Sequence, residues 1–334
     1  MTKSESTCFF GVPSKDGIYQ ISYEITNRCN LHCIHCMNKS DNCDTTVTGL
    51  PWKDMEILLE EMAANNVKEL YISGGEPTMY TFFNQLVKKS KFLGMDTLLA
   101  TNAYDIEAYL DSIKKYVDIV FVSIDGTPEK HDFFRGQEGA YRRTIRSIKK
   151  LLDEKIPVRI STVVSKNNLN DLEKIIKELC DLGVFQVHFT VLVNVGRAAN
   201  GDMLIDSEEY KKITNTIEKL QTKYEKEGFK ITTRRNGKLC EDTGICYAGR
   251  RMAHLNALGV LSPCSYVAKC PLADRYSIQW KPGEFSKCLE HVKEFQSLCE
   301  QRTEHFGHPS CAALASITTG TDDIYALDPL DVVW

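Results

Sequence analysis

The chain has 334 residues, a formal net charge of −4, 43% hydrophobic residues and thirteen Cys. That balance gives no sign of nucleic acid or an anionic membrane surface as partner, so neither is expected. The longest apolar runs, such as Ile119–Ile124, are too short to cross a bilayer, and the opening MTKSESTCFFGVP lacks the apolar core of a signal peptide.

Residues 1–17 are polar with Gly and Pro and are expected to form a loose N-terminal arm. Strand-like and helix-like runs then alternate. Ile18–Ile25 reads as a strand. Pro51–Asn65 reads as a helix, with Pro51 at its start and Met55, Leu58, Leu59 and Met62 on one face. Strands follow at Glu69–Ser73, Asp96–Ala100, Ile119–Ile124, Val158–Val164 and Val184–Leu192. Helices at Phe82–Leu93, Ile106–Tyr116, Tyr141–Leu152 and Leu169–Leu182 separate them, with Gly94 and Gly183 as stops. Six alternating units predict an α/β fold with a parallel sheet and helical crossovers. Six are too few for a closed eight-stranded barrel. Polar residues gather at strand C-termini, where parallel folds place their chemistry: Gly74-Gly75-Glu76-Pro77, Thr101-Asn102 and Ser123-Ile124-Asp125-Gly126.

Asp206–Glu227 reads as a long charged helix, and from Ile231 the β/α alternation stops while seven of the Cys remain. The expected division is an arm at 1–17, a barrel at 18–205, a bridging helix at 206–230 and a cysteine-rich unit at 231–334.

The thirteen Cys, without a secretory signal, argue for metal ligation in a reducing compartment, hence the cytoplasm. Cys29, Cys33 and Cys36 stand at C-x3-C-x2-C spacing after the first strand. Three thiols cannot fill the four positions of a cubane cluster, so one iron would stay open for a ligand. A structural zinc site with His32 or His35 as fourth ligand is the alternative, and would make the chain a zinc-stabilised binding protein.

The triplet together with Glu69–Thr78, ELYISGGEPT, resembles the radical S-adenosylmethionine (SAM) enzymes. The residue before the third Cys is usually aromatic there; here His35 keeps a planar ring. The resemblance implies a partial (β/α)6 TIM-like barrel, a [4Fe–4S] cluster on Cys29, Cys33 and Cys36, and SAM on its open iron. Reductive cleavage of SAM then gives a 5′-deoxyadenosyl radical that takes a hydrogen atom from a substrate. It also implies SAM contacts from His35, Gly74, Gly75, Glu76, Asn102, Ser123, Arg135 and Leu192. Glu76 would accept from the methionyl amine and Arg135 would pair with the carboxylate. A turn role for Asn102, a surface ion pair for Arg135 and a core role for Leu192 are the plainer alternatives.

Cys246…Gly259…Cys264 has the form C-x12-G-x4-C, which resembles the hairpin of SPASM and twitch extensions, and Gly196-Arg197-Ala198 looks like their linking segment. This implies one auxiliary [4Fe–4S] cluster, on Cys240, Cys246, Cys264 and Cys311, with Cys299 in reserve for Cys240 or Cys311. Enzymes with such extensions mostly modify ribosomally made peptides by crosslinking, epimerisation or oxidation; aminocyclitols or sugars are the alternative substrates. The arm leaves no room for a leader-binding domain, which counts against a peptide unless a separate leader-binding protein supplies one. An electron donor such as flavodoxin or ferredoxin is also implied.

Overall fold

The computed structural model describes residues 17–41, 49–199, 201–225, 228–233, 246–308 and 310–327. Its framework is one ten-stranded sheet in the order β10-β9-β8-β1-β2-β3-β4-β5-β6-β7. The strands β1 (Gln20–Glu24), β2 (Glu69–Ser73), β3 (Asp96–Thr101), β4 (Ile119–Ser123), β5 (Val158–Val164) and β6 (Gln186–Val191) pair in parallel as neighbours. Between them run α1 (Trp52–Ala64), α2 (Phe83–Phe92), α3 (Leu110–Tyr116), α4 (Pro128–Arg135), α5 (Ala140–Asp153) and α6 (Leu172–Asp181).

Why each helix lies where it does follows from its apolar stripe. Met55, Leu58, Leu59 and Met62 of α1 are fully buried against Ile21, Tyr23, Leu70 and Ile72 of the strands. Each such side chain contributes about 1.5–3 kcal/mol by leaving water. α4 was not expected from the sequence. It is a short helix opened by Pro128 and closed by Gly136 in the left-handed conformation, and only its His131, Phe134 and Arg135 are buried.

The alternate strand residues form a second face. Ser22, Tyr71, Ser73, Ala100, Ser123, Ser161, His188, Thr190 and Thr232 lie on it and are all half-buried. Leu98, Ile119 and Phe121 plug its base, with Tyr71 and Ala100 packed against them. Doubly wound sheets cover both faces with helices. Here the large helix-backed core takes one face and a polar inner wall the other, as a partial barrel requires.

The sheet extends past six strands at both ends. α7 (Ser207–Tyr224), started by an Asp206–Glu209 capping box, leads into β7 (Lys230–Thr233), which pairs in parallel with β6. The helix expected as a bridge is therefore a crossover of the same kind as the others. β8 (Met252–Leu255) pairs in parallel with β1, and β9 (Val260–Ser262) and β10 (Ile278–Gln279) continue from it antiparallel. The helices α8 (Ala273–Tyr276), α9 (Phe285–Lys293), α10 (Phe295–Phe306) and α11 (Ala312–Thr319) complete the C-terminal region. Strands this short, broken by turns, carry no periodic signal in the sequence.

Candidate active site and second thiol cluster

The loop after β1 carries the cysteine triplet, with Cys29 and Cys33 buried and Cys36 half-buried, beside Leu31 and Tyr104. Main-chain bonds from three other segments fix its path. Gly75 N donates to Thr26 O and Glu76 N to Arg28 O, both at 2.8 Å, and Ile34 N donates to Phe134 O at 3.0 Å. Arg197 holds the far side: its N donates to Cys36 O at 3.0 Å, its Nε to Cys33 O at 2.7 Å and its Nη2 to Ser40 O at 2.7 Å. The Gly-Arg-Ala segment, expected as a linker, is thus a clamp. Its Gly196, at φ +68°, has no room for a Cβ, which would lie 2.3 Å from Cys36 O.

Gly74 and Gly75 do a related job. A Cβ on Gly74 would lie 2.4 Å from Thr26 O, and one on Gly75 2.2 Å from Arg28 O. The close approach these glycines permit is to the backbone of the cysteine loop.

Glu76 is fully buried, and its carboxylate is occupied by the protein. Oε1 accepts from Thr78 N at 3.2 Å, Thr78 Oγ1 at 2.8 Å and Thr101 Oγ1 at 2.8 Å, and Oε2 from Asn102 N at 2.9 Å. Burial raises its pKa and these donors oppose the rise. In this arrangement it ties the GGEP turn to the end of β3, where an ammonium-facing role was expected. Asn102 in turn faces the triplet. Its Nδ2 donates to Asn30 Oδ1 at 2.8 Å and lies 3.9 Å from Cys29 Sγ.

Arg135, expected to face a carboxylate of SAM, is engaged by a carboxylate of the chain. Its Nη2 bonds Asp125 Oδ2, and its Nη1 lies 3.7 Å from Cys33 Sγ. Burial would raise the Asp125 carboxyl, but Arg135, His35 and His131 outweigh it and hold it below its ordinary value. His35 Nε2 lies 3.4 Å from Asp125 Oδ2, and its ring stacks edge-on against Phe134. Burial pushes His35 down to about 4 and His131 to about 3, so both rings are neutral near pH 7. Asp125 Oδ1 also accepts from Val163 N at 2.8 Å, and Asn168 bonds the Asp125 carbonyl. Among these residues, the sequence reading singled out neither His131 nor Asn168. Ser123 ends β4 on the inner wall, and Leu192 is buried just beyond β6.

The thiols themselves fit an iron–sulfur cluster. Burial pushes Cys29 up to about 12 and raises Cys33, the latter opposed by Arg135. Ligation requires the thiolates, so what favours a cluster is the gathering of the three Cys on one loop and not their ionisation. Three of them, with donors placed near two sulfurs, match a cubane with one free iron.

A second set of thiols meets in the C-terminal region. Cys246 precedes β8, Cys264 follows β9, Cys299 lies on α10, and Cys311 caps α11. Cys299 hydrogen-bonds Cys246, with Cys311 and Cys264 beside it, and together with burial these neighbours push its pKa well up. Ala248, Tyr266, Val267, Phe295, Leu298 and Ala313 pack around the group. Four thiols in an apolar shell fit a fully ligated cubane. Cys240 lies outside the described residues, and the fourth thiol gathered here is Cys299. The reason is helical register: Phe295, Leu298, Cys299 and Arg302 share the buried face of α10. Arg302, wholly buried, fixes that helix through Ser310 Oγ at 2.7 Å and the carbonyl of Ile324. Cys270 is buried beside this group and Cys288 lies in the main core.

None of the described helices is long and apolar enough to cross a membrane. The profile described as the radical SAM superfamily matches residues 23–179. The AdoMet-dependent heme synthase of Methanosarcina barkeri is 27% identical over 331 residues, spanning 90% of this chain and 93% of that protein. The PqqA peptide cyclase of Ruegeria pomeroyi is 26% identical over 328 residues, spanning 87% and 82%. The crystallised anSMEcpe with bound AdoMet and a Cp18Cys peptide shares the fold, with a TM-score of 0.73, 16% identity and coverage of 95% and 94%. The chain is a radical SAM enzyme, a member of a superfamily that works through a [4Fe–4S] cluster and S-adenosylmethionine.

Proposed function

We propose that this radical SAM enzyme abstracts a hydrogen atom from a peptide made on the ribosome, leading to a crosslink, an epimer or an oxidised side chain. The observation that carries this reading is the charge balance of the inner wall. Among the described residues, the cations that reach it stand near acids of the chain: Arg135 bonds Asp125, Arg159 stacks on Phe121 within the influence of Glu69, and Lys269 Nζ lies 3.7 Å from Glu24 Oε2. Between them stand hydroxyls and a tyrosine, Ser22, Ser73, Ser123, Ser161, Thr190, Thr232 and Tyr71. A wall of paired charges and hydroxyls suits the uncharged amides of a peptide, because a polyanionic substrate would need cations left over to hold it. The named relative that cyclises the PqqA peptide is in keeping with this.

In this reading Cys29, Cys33 and Cys36 hold the catalytic cluster, which supplies the electron that cleaves SAM. Arg197 and the Gly74-Gly75 turn keep the loop in place, Ser123 and Leu192 flank the cofactor, and the inner wall orients the substrate and excludes water. Cys246, Cys264, Cys299 and Cys311 hold an auxiliary cluster. A flavodoxin or ferredoxin delivers the electron, and a separate protein presents the leader of the peptide.

A second reading rests on the similarity to the heme synthase, which spans nearly all of both chains. It would place an iron porphyrin where the first reading has a peptide. Reduced enzyme and SAM should be offered, in separate reactions, a deuterated peptide encoded beside this gene and a deuterated iron porphyrin. Deuterium appearing in 5′-deoxyadenosine from the peptide supports the first reading. Deuterium from the porphyrin alone replaces it with the second.

A further inference from the structure

Arg135, whose expected partner is SAM, also points its guanidinium at Cys33, a ligand of the proposed cluster. Arg135 is buried, its Nη1 lies 3.7 Å from Cys33 Sγ, and its Nη2 is bonded to Asp125 Oδ2. That carboxylate is itself fixed from several sides. His35 Nε2 stands 3.4 Å from the same oxygen, Val163 N bonds the other, and His131 Nδ1 and Asn168 Nδ2 hold the main chain of Asp125. The pair is neutral overall but oriented: its positive end faces the sulfur and its negative end the protein. His35, the imidazole before the third Cys, belongs to this unit through its contact with that carboxylate. An aromatic ring there could pack on Phe134 as His35 does, but could not meet the carboxylate.

We propose that Arg135 is a positioning residue for electron entry, donating to the Cys33 sulfur and so setting the reduction potential of the catalytic cluster, and that His35, through Asp125, holds it there. Reduction adds negative charge to the cluster and its thiolates. A donor on sulfur stabilises that charge, so it makes the cluster easier to reduce. This inference rests on the radical SAM chemistry and is independent of whether the substrate is a peptide or a porphyrin.

The test is a redox titration of the purified, cluster-loaded enzyme without SAM, followed by electron paramagnetic resonance. The catalytic signal is identified as the one that changes when SAM is added to a parallel sample. Iron and sulfide content check that each variant is loaded. Arg135→Gln is expected to make the catalytic cluster about tenfold harder to reduce, about 59 mV more negative for one electron. Arg135→Lys, which keeps the charge without the fork, should fall between it and the parent. His35→Phe should shift the potential in the same direction by less, and serves if Arg135→Gln fails to load. An unchanged potential with weakened SAM binding would overturn the proposal and make Arg135 a SAM contact. An unchanged potential in His35→Phe would remove His35 from the unit.

Discussion

The Sγ of Cys299 on α10 hydrogen-bonds that of Cys246 ahead of β8, joining two segments far apart in the chain. In the proposed reading this contact places Cys299, with the hairpin thiols, among the ligands of the second cluster. Cys299→Ala is therefore expected to lower iron below the parent's complement of about eight per chain, two cubanes of four. Cys270→Ala, a neighbour outside the set, should keep it. Iron and sulfide quantitation after anaerobic purification decides this. Parent-level iron in Cys299→Ala would return the role to Cys240.

Arg197 makes three bonds to carbonyls and main chain of the cysteine loop. Lysine cannot reproduce that fork, since it offers one compact ammonium. Arg197→Lys should fold and then lose iron from the catalytic site faster in air than the parent does. The decay of cluster absorbance with time measures it, and equal decay rates would show that the clamp is dispensable.

Gly74 stands at φ +146° with its missing Cβ directed at Thr26 O. Gly74→Ala combines an unfavourable backbone conformation with a clash, and should cost about 1–3 kcal/mol. The expected readout is a lower midpoint in thermal or denaturant unfolding, together with incomplete loading of the first cluster. A midpoint equal to the parent's would mean that the turn can shift freely.

Glu69, at the base of the inner wall, has its pKa raised to about 7, mainly by burial, with Gln20 opposing as a hydrogen-bond donor. Unfolded, the same group titrates near 4.5. Between those values the folded chain holds a proton that the unfolded chain has released, so its contribution is complete below pH 4.5 and is lost as pH rises through 7. The full swing is roughly 3 kcal/mol. Glu69→Gln should flatten the fall in stability between pH 5 and pH 8. A fall as steep as the parent's would assign it to other groups.

Much of this molecule is legible in the sequence, and the parts that are not share a cause. The barrel strands announce themselves because each is an apolar run closed by a polar tip, as in Glu69–Ser73 before Gly74. The triplet at Cys29, Cys33 and Cys36 is visible because its ligands are close in sequence. Cys299 is visible only as a reserve thiol, since only the fold of α10 brings it to Cys246. The motif at Glu76 is recognisable in the sequence; that Thr78, Thr101 and Asn102 donate to its oxygens is visible only in three dimensions. α4 was missed because eight residues with three buried side chains give too short a pattern.

The pairing of β8 with β1 carries one more consequence. Without the residues after β7, β1 would end the sheet with a full row of unpaired amides and carbonyls along one side. Such a border is a template on which another chain can add a strand. A version of this protein trimmed to its barrel should therefore associate and precipitate. The C-terminal region, besides gathering thiols, covers that border with β8.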